Sequence, residues 1–387
     1  MALEAANDLY TGLRELRSSL PARSYFDPDI YRLELTRIWR RSWINVCRST
    51  DLDAPLAFRV ETAADVEVLL VRGEDGTLRA FHNSCRHRGA SLCTTSSGRL
   101  AGRLIVCPYH AWSYATDGRL VRAPSKRMPE GFDKRALGLI PIEVEEWRGF
   151  VFVRLDGSGS GSVQETFDAG SSDLANWPLE RLVVGHTYRK LVASNWKVFW
   201  ENFNECLHCP GVHKSLSALV PIYGRGLMAR HDDPDWESHA DSDAPEHSGG
   251  LRVGAQSWTV DGRVHAPPFP GLSPADIASG QSYATHLPSM FIVGHADYVR
   301  AVRVIPCGPE QIELVADWLF LPEALPLPRA ALDAITGLAT QVLDEDAEVC
   351  ELNQRGLRSA GHKAGVLMPE EYDVARFQDW VRKSLEP

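Results

Sequence analysis

At 387 residues, 44% apolar and 24% charged, the chain has a globular composition and is longer than one ordinary core needs, so two domains are expected. A net charge of −10 leaves no basic surplus to neutralise phosphates, which argues against nucleic-acid binding. No run of apolar residues reaches the ~18 that a spanning helix needs, and the opening residues mix charges where a signal peptide would be apolar. A cytoplasmic protein with no membrane contact is therefore expected. Its eight cysteines are scattered without the spacing of a disulfide framework, which fits a reducing compartment.

Residues 1–45 read as helical, ending in Tyr31-Arg-Leu-Glu-Leu-Thr-Arg-Ile-Trp39 with apolar positions every three or four residues. From 43 to 155 the texture changes to short β-like runs, among them 66–71, 104–106 and 149–155, separated by Gly-Glu-Asp-Gly and Thr-Asp-Gly turns. The Gly-Ser alternation at 156–162 is a candidate boundary. Beyond it, 186–192 reads as a strand leading into a mostly helical 195–216. Residues 217–282, rich in Gly, Pro, Asp and His, read as long loops able to cover a site. Strand-like runs return at 290–293, 298–305 and 312–321, before a long helix over 329–357 and a short C-terminal one.

Two cysteine–histidine pairs carry the first chemical signal: Cys85-Arg-His87 and Cys107-Pro-Tyr-His110, each in a turn after a strand-like run. Two thiolates on one iron and two imidazoles on the other are what a Rieske [2Fe–2S] centre requires. Pro108 stiffens one tip, and Trp112 and Tyr114 offer an apolar floor. Tetrahedral zinc is the competing reading, although zinc fingers tend to group cysteines with cysteines and histidines with histidines.

The second signal is Asn195-Trp-Lys-Val-Phe-Trp-Glu-Asn-Phe-Asn-Glu-Cys-Leu-His-Cys-Pro-Gly-Val-His213. Asn202, Glu205 and His208 are spaced by three and share a helix face. Pro210-Gly211 breaks the helix, which lets His213 turn back toward the metal that His208 would bind. A carboxylate would complete a facial triad for non-haem Fe(II), leaving positions open for dioxygen and substrate. On the helix around 341–354, a rotation of ~100° per residue places Asp346 within the apolar stripe of Ile335, Leu338, Val342 and Val349. Asp344 and Glu345 read as a solvated charge run. A carboxylate on a buried face is costly unless it is paired or bound to a metal.

Together, Cys85-Arg-His87-Arg-Gly-Ala, Cys107-Pro-Tyr-His110-Ala-Trp and the helix from Glu345 to Ser359 resemble the α-subunits of Rieske non-haem iron oxygenases. The resemblance covers nearly the whole chain; Ala111 stands where the family usually has glycine. It implies an α+β fold, with an all-β Rieske domain ahead of a catalytic domain whose large antiparallel sheet is covered by helices (helix-grip, START-like). The implied division is an N-terminal helical segment at 1–42 packing on the catalytic domain, a Rieske domain at 43–156 and a catalytic domain at 157–387. It further implies one [2Fe–2S] cluster on Cys85, His87, Cys107 and His110, and one mononuclear Fe(II) on His208, His213 and Asp346. Glu205 matches the carboxylate that links a cluster histidine of one subunit to His208 of its neighbour in a head-to-tail homotrimer, a relay and not a ligand, and Asn202 lies near the iron.

No G-x-G-x-x-G dinucleotide fingerprint is present, so electrons are expected from a separate NAD(P)H-dependent reductase. Dioxygen and a small molecule would be the substrates. The C-terminal motif is most similar to the choline, glycine betaine and carnitine oxygenase branch, which implies a quaternary ammonium substrate; an aromatic acid or arene is the alternative. A cation of that kind calls for an aromatic cage, which Trp258, Tyr283, Phe291, Tyr298 and Trp318 could supply, although any one of them taken singly reads as core. A Rieske electron carrier without catalysis is the reading from another class, and the intact His208, His213 and Asp346 set argues against it.

Overall fold

The computed structural model describes residues 9–157, 159, 161–167 and 174–386, so part of the Gly-Ser stretch lies outside the described residues. Its contacts divide into two compact units. One is Leu35–Phe167 with His286–Ser289; the other gathers the segments before, between and after these.

The first unit is built on a seven-stranded antiparallel sheet in the order Ile44–Arg48, Phe150–Arg154, Pro141–Trp147, Leu78–His82, Val66–Arg72, Ala57–Ala63, Ser97–Arg99. A second sheet joins Leu104–Val106, Ser113–Ala115 and Leu120–Arg122. Within the strand Val66–Arg72, residues 68–71 are buried on both faces, which explains their unbroken apolar run. Gly76 turns the hairpin after it with φ +76, while the Asp75 carboxylate accepts from the Thr77 amide. Leu69, Val71, Phe81 and Ile105 share one core with Cys85, Cys107, Trp112 and Tyr114, so the two loop tips are seated directly on packed sheet.

The second unit centres on a five-stranded sheet in the order Val183–Val192, Gln311–Phe320, Val299–Gly308, Met290–Gly294, Ser282–His286. The helix Trp196–Phe203 lies against it: Phe291 meets the rings of Phe203, Trp200 and Phe199 at 4.2, 6.1 and 6.5 Å. On the same helix Trp196 packs edge-on to Phe377 and Trp380 of the C-terminal helix Tyr372–Leu385. The long helix Arg329–Leu357 keeps most of the expected stripe: Ile335, Leu338 and Val342 are buried, while Val349 is only half-buried.

Two stretches differ from expectation. The N-terminal segment is not one helix. Arg17–Ser18 pairs with Val366–Leu367, and Pro21 and Pro28 then split the chain into a short turn and the helix Pro28–Glu34. Residues 217–282 are not open coil either. One-turn helices there pack Leu219, Tyr223, Leu227, Leu251 and Trp258 against Leu338 and Val342 of the long helix.

Candidate metal centres and family

In the first unit Cys85 and Cys107 are buried and carry free thiols. Their two sulfurs are hydrogen-bonding neighbours, and the amides of Tyr109 and His110 point at Cys107 Sγ. The Tyr114 hydroxyl lies 3.2 Å from Cys85 Sγ and accepts from the Arg86 amide at 3.1 Å, which leaves its own hydrogen for the sulfur. Tyr114 is thus a polar partner of the cysteine as well as the apolar floor expected. His87 and His110 lie outward of the thiols, with ring centroids 4.8 Å apart, and Trp112 stacks under His87 at 4.9 Å. Asn83 ties the first loop down: its Oδ1 accepts from the Leu92 and Cys93 amides and its Nδ2 donates to the Cys93 carbonyl. Two sulfurs inside, two imidazoles outside and amide donors aimed at sulfur fit the asymmetry of a Rieske cluster.

In the second unit the chain leaves the helix Trp196–Phe203 through a turn, makes one helical turn at Cys209–Val212, and resumes at Lys214–Leu219. That break brings His213 Nε2 to 3.1 Å from His208 Nε2. Asp346 Oδ1 stands 2.9 Å from His213 Nε2 and 3.5 Å from His208 Nε2, so the three expected donors converge. Each imidazole donates its other nitrogen to a carboxylate: His208 Nδ1 to Glu205 at 2.5 Å and His213 Nδ1 to Glu345 at 2.7 Å. With Nδ1 committed, both Nε2 lone pairs and a carboxylate oxygen face one another, an arrangement that calls for a cation. Donors sharing an ion at ~2.1 Å sit about 3 Å apart, so the set fits one metal.

Asn202 Nδ2 donates to Asp346 Oδ1 at 2.7 Å, which places Asn202 on the carboxylate. Burial works against ionising Asp346, but hydrogen bonds from His208 and His213 prevail and hold its carboxyl down at about 2. For His208 burial favours the neutral ring, and Asp346 and Glu205 outweigh it, raising the pKa to about 9.

Three features lie outside the sequence expectations. Glu345, read as a solvated charge, is the acceptor for His213; the rule that a ligating histidine gives its second nitrogen to a carboxylate could have found it beside Asp346. Asp344 is likewise engaged, accepting from Tyr188 and Lys190. Cys206 and Cys209, expected among the scattered thiols, form a disulfide that flanks His208. Their C-x-x-C spacing, within reach of a one-turn bridge, was the available signal.

The model of the Rieske [2Fe-2S] domain matches residues 42–137, and that of the ring hydroxylating alpha subunit (catalytic domain) matches 179–386, more than half of the chain. The chain belongs to the Rieske non-haem iron oxygenases. It is therefore an oxidoreductase α-subunit with one [2Fe–2S] cluster and one mononuclear iron, and zinc and carrier-only readings fall away. Among curated members it is 32% identical to the glycine betaine monooxygenase oxygenase subunit of Chromohalobacter salexigens over 99% of this chain and 90% of that one. It is 28% identical to the choline monooxygenase of Beta vulgaris (95% and 77% covered) and to the carnitine monooxygenase oxygenase subunit of Acinetobacter baumannii (94% of each). In fold it is similar to the quaternary ammonium Rieske monooxygenase CntA solved with L-carnitine, with a TM-score of 0.69 at 23% identity over 96% of both chains. Naphthalene 1,2-dioxygenase from Rhodococcus is similar at 0.65 and 18%, over 95% of this chain and 94% of that one. No helix among the described residues of this oxygenase is long and apolar enough to cross a membrane.

Proposed function

We propose that this α-subunit oxygenates a quaternary ammonium compound at an N-methyl group or an adjacent carbon. The similarity to glycine betaine monooxygenase along nearly the whole chain carries the reading. Cys85, His87, Cys107 and His110 are assigned to the cluster, and His208, His213 and Asp346 to the iron. When bound, the two centres supply stored electrons and dioxygen reduction; the chain supplies orientation and a dry site. Glu205 fixes the His208 ring. It also relays electrons from the cluster of a neighbouring subunit in a homotrimer, in keeping with the inter-subunit electron transfer of a structurally similar quaternary ammonium Rieske monooxygenase. Asn202 positions the Asp346 carboxylate. The Rieske-bearing unit runs on past the Gly-Ser stretch to Phe167 before the catalytic segment begins, a separate NAD(P)H-dependent reductase supplies electrons, and the protein is cytoplasmic.

Hydroxylating an N-methyl carbon with O2, two electrons and two protons gives a hydroxymethyl ammonium and water. That product sheds formaldehyde and a proton to leave a tertiary amine. The test is aerobic turnover with NAD(P)H and a Rieske-type reductase on glycine betaine, carnitine and choline, assaying formaldehyde and the demethylated amine. Amine-dependent formaldehyde is expected. Oxygen consumption that yields only peroxide with all three amines would overturn the substrate class.

A further inference from the structure

Arg300, on the strand Val299–Gly308, is only 4% exposed, yet among the described residues it makes no side-chain hydrogen bond and no ion pair. Its Nε and Nη1 are buried without partners. A buried charge without a partner is among the most costly features a fold can carry, and native structures keep one chiefly where something else supplies the counter-charge.

The register says where it points. Arg300 lies opposite Val293, and Val302 opposite Phe291, so Arg300 shares its sheet face with Phe291. Phe291 packs on Phe203, Trp200 and Phe199, the helix that runs directly into Glu205 and His208. Across the sheet Arg300 faces Trp318 on this same side. Its guanidinium carbon is 6.0 Å from the Trp258 ring centroid, and Trp258 shares a core cluster with Cys206 and Cys209, which flank His208. Arg300 thus lies on the sheet face that packs against the helix leading to the iron-site turn, beside the Trp258 cluster.

More unanswered polar atoms lie around Arg300. Trp258 Nε1 and Trp318 Nε1 are buried donors without partners. His295 Nε2 is a buried lone pair, since Nδ1 donates to the Gly280 carbonyl, and it can take an O–H donor. Tyr223 and Tyr283 close on each other through Gln281. Among the described residues no carboxylate answers the arginine. Asp297 is committed to Ser257 and to the amides of His265 and Ala266, while Asp317, on the opposite face, accepts from Thr187.

We infer that Arg300 is the anchor for the carboxylate of the substrate, so that this oxygenase takes a zwitterionic carboxylated ammonium compound and rejects a simple cation. The inference rests on the proposed quaternary ammonium reading and narrows it. A carboxylate accepts from the guanidinium along two parallel N–H bonds and cancels its charge, leaving the trimethylammonium end to the aromatic rings nearer the iron site. A cation with a hydroxyl in place of the carboxylate leaves the arginine unanswered and adds a like charge beside it, which discriminates by repulsion as well as by lost attraction.

The test is anaerobic titration calorimetry of the iron-loaded holoenzyme with glycine betaine, choline and 3,3-dimethylbutyrate, the uncharged-head isostere of glycine betaine. Glycine betaine is expected to bind at least tenfold more tightly than choline to the wild type. Arg300→Gln should lose tenfold or more of the betaine affinity and none for choline, with Arg300→Lys intermediate; an unchanged cluster spectrum in each variant reports an intact fold. Choline binding as tightly as betaine overturns the inference and leaves the quaternary ammonium reading standing. So does an Arg300→Gln variant that binds betaine normally. Dimethylbutyrate binding as tightly as betaine, with both lost in Arg300→Gln, upholds the anchor and overturns the ammonium reading instead.

Discussion

His213 is held from both sides by consecutive residues of one helix: its Nδ1 donates to Glu345 at 2.7 Å while its Nε2 meets Asp346 at 2.9 Å. Neighbouring helix residues usually diverge by ~100°, so the imidazole must sit over the helix edge, where both carboxylates reach it. One carboxylate sets the ring's tautomer and the other joins it as a donor.

Glu345→Gln should therefore weaken iron binding without touching the cluster. A ten- to hundredfold loss of metal affinity is the usual cost of removing such an orienting carboxylate. Iron analysis after dialysis against a chelator, alongside the visible spectrum, should show mononuclear iron depleted and cluster absorbance retained. Full iron retention would assign Glu345 to the surface.

Lys197 and Glu34 form an ion pair with side chains 0% and 1% exposed, reinforced by Trp196 Nε1 donating to Glu34 and by Asn195 accepting from Lys197. Glu34→Ala strands the ammonium, and roughly 3–5 kcal/mol of stability should go with it. A paired Glu34→Leu/Lys197→Met replacement should recover most of that in chemical denaturation. If the double variant is no more stable than the single one, hydrogen bonding and not charge is what the pair contributes.

Glu201 is desolvated by its surroundings, and this prevails over hydrogen bonds from Tyr25 and Gln378 to raise its pKa to about 7. A carboxyl whose folded pKa lies above its unfolded one stabilises fully below the unfolded value, and that stability is lost as pH rises through about 7. Glu201→Gln imitates the protonated form. Its melting temperature should match the wild type near pH 5 and exceed it at pH 8; equal melting temperatures at both pH values would contradict the shift.

Ala111 adopts φ +56 within the loop that the Cys107 amide closes by donating to the Trp112 carbonyl. A left-handed alanine costs about 1–2 kcal/mol relative to its ordinary conformations, a cost glycine escapes. Ala111→Gly should stabilise the first unit by about 1 kcal/mol and leave the cluster spectrum in place, which calorimetry and absorbance together can check.

Metal chemistry made much of this protein legible in its sequence. Thiolate and imidazole donors must come in fixed kinds at close spacing, so Cys85 to His110 and His208 to His213 stand out of the chain. Asp346 was readable from the stripe of one long helix, whose periodicity the fold kept. What escaped depends on partners distant in sequence. Glu345 looks like any surface acid until His213 folds back on it. Arg300 sits in a strand buried on both faces, and its own face is defined only once Val293 and Trp318 are paired across from it. The N-terminal segment misled because Tyr31 to Trp39 has helical spacing while the prolines before it divide the chain.

A single turnover without any reductase puts the oxygenase chemistry itself to the test: holoenzyme reduced anaerobically, freed of reductant, then mixed with glycine betaine and oxygen. Electrons can then come only from the protein's own centres. Oxidation of the cluster, tracked by absorbance, should accompany formaldehyde release, and Asp346→Asn should abolish the product while keeping the cluster. Cluster oxidation with both metals present and no product from glycine betaine, carnitine or choline would contradict the assignment.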